Sequence, residues 1–309
     1  MRSIVLVLLA SVLFGTTGTT QTFAPSTATP LSVGAARMVV GGALMALVGW
    51  LGYRRRRARA GGGVTGADEV GASPVLPGLA PRVNLPTWLA LGLAAAGMAA
   101  YQVTFFAGTR DNGVAVGTIV TLGSAPLAAG LLEWLVRRRR PGRAWLIATV
   151  LAVVGVILLT GGSGVRNLAG LALSATAGVS YALELVLLKV VLDRGWTSSD
   201  AVSWVMGLAA VLALPILVGQ DTSWVTTPRG ASVTAWLAVA TIVVAYQLLA
   251  HGLGGLPAAT VSTLTLAEPA TATLLGLVVV GERLTWTGLA GIVAITLGLV
   301  VLARATRSV

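Results

Sequence analysis

Residues 258–283 read AATVSTLTLAEPATATLLGLVVVGER. The run is apolar except for one acid near its middle, Glu268, followed directly by Pro269. A helix that spans a bilayer takes about 20 mostly apolar residues, so Glu268, roughly ten from either end, falls near the midplane. A charged side chain at that depth costs about 2.5–3.5 kcal/mol on insertion scales, so it persists where it faces protein or water. Pro269 has no N–H, which removes the helical donor to the carbonyl of Thr265. Thr265 and Thr271 stand three residues either side of Glu268, broadly on its face of a helix. The stretch therefore predicts a spanning helix broken at Pro269, with a polar spot at its centre.

Outward from this stretch the chain is built the same way. Of its 309 residues 56% are hydrophobic and 10% charged, and mean hydropathy is +0.89. Soluble domains carry about 25% charged residues. The sequence is that of an all-α integral membrane protein. There is no cysteine and one histidine, His251, so disulfides, thiolate metal sites and histidine clusters are excluded. No cofactor and no metal are expected. The net charge of +11 is gathered in short runs between apolar spans, which marks membrane topology and not nucleic-acid binding.

Ten spans are predicted, at 4–23, 31–53, 88–106, 114–136, 144–160, 168–190, 201–218, 232–252, 258–283 and 286–303. The opening MRSIVLVLLASVLFG also has the shape of a signal peptide. Against that reading, no globular extracellular domain follows it. Residues 54–86 begin with Arg54–Arg57 and continue rich in Gly, Ala and Pro, without apolar period. They read as a disordered cytoplasmic loop. With the N-terminus inside, 16 Lys and Arg fall on the cytoplasmic side and 5 on the other. That asymmetry places both termini in the cytoplasm. Trp50, Trp88, Trp134 and Trp145 then sit at the cytoplasmic ends of spans as interface anchors, and Trp236 and Trp286 at the outer ends.

The chain also repeats. YQVTFFAG from Tyr101 matches YQLLAHGL from Tyr246, and APLAAGLL from Ala125 matches EPATATLL from Glu268. A weaker match, SVLFGTT from Ser11 against SATAGVS from Ser174, sets Gln21 opposite Glu184. Each half holds five spans, an odd number, so the halves run in opposite senses. This predicts two inverted five-helix repeats, 1–162 and 168–309. Inverted repeats with broken helices at the midplane are a signature of secondary transporters. The match also makes span one the partner of span six, a second argument against cleavage of span one. Glu268 aligns with Ala125, so the acid belongs to the second half alone, while Pro126 frees the carbonyl of Leu122 in the first and predicts a helix break there too.

With the ten spans, the five-plus-five repeat, Pro126 and Pro269 midway along spans four and nine, and the Gly281-Glu282-Arg283 ending, the chain resembles the EamA-type branch of the drug/metabolite transporter superfamily. The resemblance covers nearly everything except 54–86. It departs at the end of span four, where Arg138 and Arg139 stand in place of a Gly-Glu pair. It implies a plasma-membrane carrier of a small organic metabolite, an amino acid or drug-like compound, often an exporter, working by proton coupling or exchange. The partners implied are that substrate and membrane lipid, with no nucleic acid; a homodimer is compatible with the sequence.

Glu268 is the leading residue for proton coupling or substrate contact; the plainer alternative is a protonated acid bonded to a neighbouring helix. Glu184 follows, with an interfacial pairing to Lys189 as the alternative. Tyr101, Gln102, Tyr246 and Gln247 either line a cavity or join helices by hydrogen bonds. Gln21 closes an unusually polar outer end of span one, and Thr265 accompanies Glu268. Arg37 either snorkels to the interface or holds an anionic group. Glu133 reads as a surface partner of the arginines near it, and His251 as a solvated interface residue. Spans one, three, four, six, eight and nine are expected to surround the cavity. A membrane-embedded enzyme is disfavoured by the lack of clustered nucleophiles and ligands, and a channel by the lack of a continuous polar stripe.

Overall fold

The computed structural model describes residues 1–60, 85–112, 114–138, 141–159, 167–281 and 285–305. Among these there are helices and no strands. In order they are α1 (Arg2–Thr22), α2 (Pro30–Ala60), α3 (Thr87–Asn112), α4 (Val114–Arg137), α5 (Arg143–Leu159), α6 (Leu168–Leu192) and α7 (Ser198–Val218). Span eight is α8 (Pro228–Trp236), a π-helical stretch Leu237–Val244 and α9 (Ala245–Gly254). Span nine is α10 (Ala258–Leu264), α11 (Ala267–Leu275) and a π-helical end Gly276–Val280; α12 (Trp286–Ala305) closes the chain. Nine of these helical passes are at least 18 residues long and apolar enough to cross a membrane; the tenth, Arg143–Leu159, is 17 residues. That length still reaches across a bilayer core at the short end of the observed range.

Two helices run past their expected ends. α2 continues through Arg54–Arg57 to Ala60, so the first seven residues of the expected loop are helical. Arginine is a good helix former, and nothing in ARRRRA-like sequence stops a turn once it leaves the lipid. Arg54 lies over the Trp50 ring at 4.7 Å, and Arg56 pairs with Asp200 at 2.5 Å. Residues 61–84 of that loop, with Glu282, Arg283 and the chain end 306–309, lie outside the described residues. α3 runs on through the expected polar turn to Asn112. There Asn112 Nδ2 donates to Asn167 O and Asn167 N–H donates to Asn112 Oδ1, both at 2.7 Å. Asn167 in turn caps α6 through the N–H of Ala169.

The two prolines act differently. α4 is continuous across Pro126, so the break expected there is absent. A proline removes one donor and kinks a helix, and it need not end one. Span nine does break, at Thr265–Leu266, just before the Glu268-Pro269 pair. The Thr265 carbonyl, freed by Pro269, is not left open: it accepts from the Glu268 N–H at 2.9 Å, a tighter turn of the chain.

Packing follows a regular exchange. α1 lies against α9 of span eight and α11 of span nine; α6 lies against α3 and α4; α2 pairs with α7, and α5 with α12. Replacing each span by the one five places on leaves this set of neighbours unchanged. Small residues permit the approach: a Cβ on Gly155 would stand 2.7 Å from Gly291 O, and one on Gly97 would stand 2.9 Å from Ser180 O. The main core gathers Ile4, Val7 and Ala10 of α1, Ala90–Met98 positions of α3, the end of α6, and the residues around Leu249–Leu264. All belong to the end of the bundle where Met1, Leu192 and Gly254 lie. From Glu184 to Leu192 every residue of α6 is buried, as in a helix enclosed on all sides.

Candidate functional site

The site is assembled where this filled end of the bundle stops. Along span nine, residues 258–266 are all buried; from Ala267 through Thr273 they are half-buried. The change falls at the helix break, one residue before Glu268. α6 becomes buried on every side from Glu184 onward, in the opposite chain direction. The side chains at this level form a polar and aromatic floor, with tightly packed protein on one side of it.

Six elements supply the floor. α1 brings Phe14, whose ring meets that of Tyr246 edge-on at 5.2 Å. It approaches span nine through Gly15, where a Cβ would stand 2.9 Å from the Glu268 carbonyl. α2 brings Arg37, half-buried, whose Nη2 donates to Gln102 Oε1 at 3.4 Å. α3 brings Tyr101 and Gln102; Tyr101 stacks on Phe105 at 5.6 Å and lies 5.9 Å from the Tyr181 ring of α6. Tyr246 of α9 donates to Met98 Sδ at 3.3 Å. Tyr181 lies near Thr265, which donates to Ser262 O at 2.8 Å. Arg37 is close enough to Glu268 to act on it electrostatically, and Tyr101 feels Arg37, Glu268 and Glu184 together.

Hydrogen bonding at the floor is incomplete. Among the described residues Arg37 Nε, Gln102 Nε2 and both carboxyl oxygens of Glu184 are buried without a partner. Buried polar groups are almost always paired, and exceptions mark sites of function or of an unseen ligand. Glu184 is fully buried, beside Gly97 of α3. The pairing of Glu184 with Lys189 is overturned: Lys189 turns to Asp193 at 3.0 Å and donates to Gly254 O at 2.9 Å.

The structure thus brings together Glu268, Glu184, Tyr101, Gln102, Tyr246 and Thr265. It does not bring in the other two. Gln21 is at the outer end of α1, half-buried, two turns from Gly15. Gln247 accepts from Ser199 Oγ at 2.9 Å and donates to Met45 Sδ at 3.3 Å, so it joins span eight to α7 and α2. Its neighbour Tyr246 faces the floor because successive helical residues point about 100° apart. Tyr181 and Phe14 also belong to the floor and were not singled out for it; Arg37, read as either an interface residue or a holder of an anionic group, lies there too. Glu133, expected at the surface, is instead buried and accepts the Ala259 N–H at 2.9 Å. His251 is exposed, with Nδ1 2.6 Å from Gln247 O. Trp145 turns inward and donates to Ala259 O at 3.0 Å, where an interface anchor was expected. No group of three His, Asp or Glu among the described residues could hold a metal ion.

Fold and floor define a class: a multi-pass helical membrane protein with a polar centre at a broken helix. More particularly, the chain belongs to the EamA-like transporter family, whose model matches residues 1–161 and 168–304. It is 38% identical over 304 residues to the uncharacterized transporter YwfM of Bacillus subtilis (strain 168), covering 97% of this chain and 93% of that one. An uncharacterized transporter of Clostridium kluyveri is 24% identical over 164 residues, about half of each chain. A solved crystal structure superposes on 99% of this chain and 98% of its own with a TM-score of 0.75, at 17% identity, which speaks to the fold alone.

Proposed function

We propose that this protein is a secondary carrier of a small organic metabolite, an amino acid or drug-like compound, working by alternating access. The observation that carries the reading is the position of Glu268. It stands at the break of span nine, at the level where packed protein gives way to half-exposed side chains, within electrostatic range of Arg37 and Tyr101. A carrier needs a binding level that one end of the bundle seals while the other admits substrate. In this structure the sealed end is the one with Met1 and Gly254. Lys189–Gly254, Arg56–Asp200 and Ser199–Gln247 cross it by hydrogen bonds. Of these links Arg56–Asp200 joins the two halves, so opening that end between them requires it to part.

The neighbour exchange between spans one to five and six to ten supports two halves of opposite sense, able to rock about the floor. The arginine distribution supports cytoplasmic termini in the cell membrane, with the floor reached from outside in this conformation. An acid, an arginine and aromatic walls suit a molecule with both a charged end and an apolar body. In this reading Glu268 takes up a proton in one state and releases it in the other, and outward transport follows the inward proton gradient. A non-coupled facilitator is the rival reading; an enzyme would need clustered reacting groups that the floor lacks among its described residues.

The test is flux in liposomes holding the purified protein, with a panel of amino acids and cationic dyes and an imposed pH gradient. Saturable, counterflow-competent flux is expected from the wild type. Glu268→Gln should abolish gradient-driven accumulation and keep downhill exchange. Coupled transport unchanged in that variant would end the assignment, and non-saturating flux would favour the facilitator.

A further inference from the structure

Away from the floor, an open groove of about 400 Å³ lies between α4 and α5, lined by Leu127, Gly130, Leu131, Trp134, Pro141 and Trp145. Leu127 and Leu131 are exposed at 52% and 54% on a helix long and apolar enough to cross a membrane. The groove is apolar along its length and basic at one end. Arg138, one turn beyond Trp134, and Arg143, at the start of α5, are both exposed there. Arg138 has φ +56, and its N–H donates to Trp134 O at 2.7 Å. The chain therefore leaves α4 by a left-handed turn, and Pro141 and Trp145 fold back against Gly130. A Cβ on Gly130 would stand 2.6 Å from the Trp145 ring, so the glycine lets the indole lie flat and form the groove wall.

The far side of that wall is attached to span nine. Trp145 Nε1 donates to Ala259 O, and Glu133 accepts from Ala259 N–H. Both polar groups of the Ala259 residue are thus held by the two helices that make the groove. Ala259 is at the start of α10, the half-helix that ends at the break before Glu268.

We propose that the groove is a binding site for an anionic phospholipid, with an acyl chain along Leu127, Leu131 and Trp134 and the phosphate on Arg138 and Arg143. Charge complementarity selects the occupant. Basic residues at the membrane surface favour anionic headgroups, while a neutral headgroup gains nothing from them. Occupancy presses Trp145 against Gly130 and so secures its bond to Ala259. The lipid then stabilises the near half of span nine in the conformation seen here.

The test uses the purified full chain in neutral detergent, titrated with phosphatidylglycerol or phosphatidylcholine. The readouts are the unfolding midpoint and the lipid retained in native mass spectrometry. Phosphatidylglycerol should raise the midpoint and remain bound, and phosphatidylcholine should do neither. The double variant Arg138→Gln/Arg143→Gln should weaken the apparent affinity about thirtyfold, as expected for two basic residues beside an anionic group. Leu131→Trp, which fills the groove and leaves both arginines, should also abolish the shift. Glycerol 3-phosphate, a headgroup without chains, should give none. Equal shifts by the two lipids, an undiminished shift in either variant, or a full shift from glycerol 3-phosphate would each overturn the assignment. If one variant misfolds, the other still decides between the outcomes.

Discussion

Replacing Gly15 by alanine tests the contact on which the floor depends. The added Cβ would stand 2.7 Å from Thr271 Cβ and 2.9 Å from both the Glu268 carbonyl oxygen and Thr271 Cγ2. Carbon atoms in good contact are about 3.5–4.0 Å apart, so α1 and α11 must separate by roughly 0.8 Å or more. Two of the three obstructing atoms are a Cβ and a main-chain oxygen, which no rotamer change can move. Overpacking of this kind costs about 1–3 kcal/mol. At roughly 2–4 °C per kcal/mol for a chain of this class of size, the apparent unfolding midpoint should fall by about 2–12 °C. Gly18, one turn further along α1, supplies the control, because nothing lies within 4 Å of a Cβ built there. Gly18→Ala should leave the midpoint unchanged or raise it slightly, since alanine is the better helix former by about 1 kcal/mol. The assay is a thermal melt of both variants in one detergent, followed by flux measurement in liposomes. Gly15→Ala should lose both stability and transport. If the two variants melt together and transport alike, α1 does not press on the Glu268 turn and the described floor is wrong.

Asn112→Ala removes both hydrogen bonds of the reciprocal pair with Asn167, at about 0.5–1.5 kcal/mol each in a denaturant or thermal melt. Glu184→Leu should leave the midpoint the same or higher, because neither carboxyl oxygen has a hydrogen bond to lose; a drop of several degrees would reveal a partner. Lys189→Met breaks a buried pair with Asp193 and the bond to Gly254 O, for which about 3–5 kcal/mol is expected in the same melt. Outside the spans, the Ser223 N–H, 2.8 Å from Asp221 Oδ1, holds that carboxyl below the ordinary aspartate range. A lowered folded value means the contact is complete above the unfolded value of about 3.9 and is lost as pH falls through the lower one. Protection of the Ser223 amide against hydrogen exchange, taken relative to the intrinsic rate at each pH, should therefore be high at pH 6 and fall when the carboxyl is protonated, or at pH 6 in Asp221→Asn.

What could be read from the sequence followed from the solvent. In a bilayer the backbone must bond within its own helix, so apolar runs of sufficient length declare the spans, and an acid beside a proline in the middle of one declares a site. The all-helical fold, the membrane setting, the family and the break of span nine beside residue 268 were all legible on that ground. Helix ends were less so, because Arg54–Ala60 stays helical on local propensity beyond the apolar boundary, while Ala107–Asn112 stays helical against its propensity, held by the bonds of Asn112 to Asn167.

Which way each side chain faces was decided only by tertiary packing. Helices that are apolar on every side carry no stripe to fix their rotation, so Tyr246 and Gln247 looked equivalent until packing sent one to the floor and the other to α2 and α7. The same rotation turned Arg37 inward, left Glu184 without a partner, and gave Lys189 to Gly254. Pro126 and Pro269 occupy matching positions, yet only span nine breaks. The neighbours that accept or refuse a bend belong to other helices, and a linear sequence does not list them.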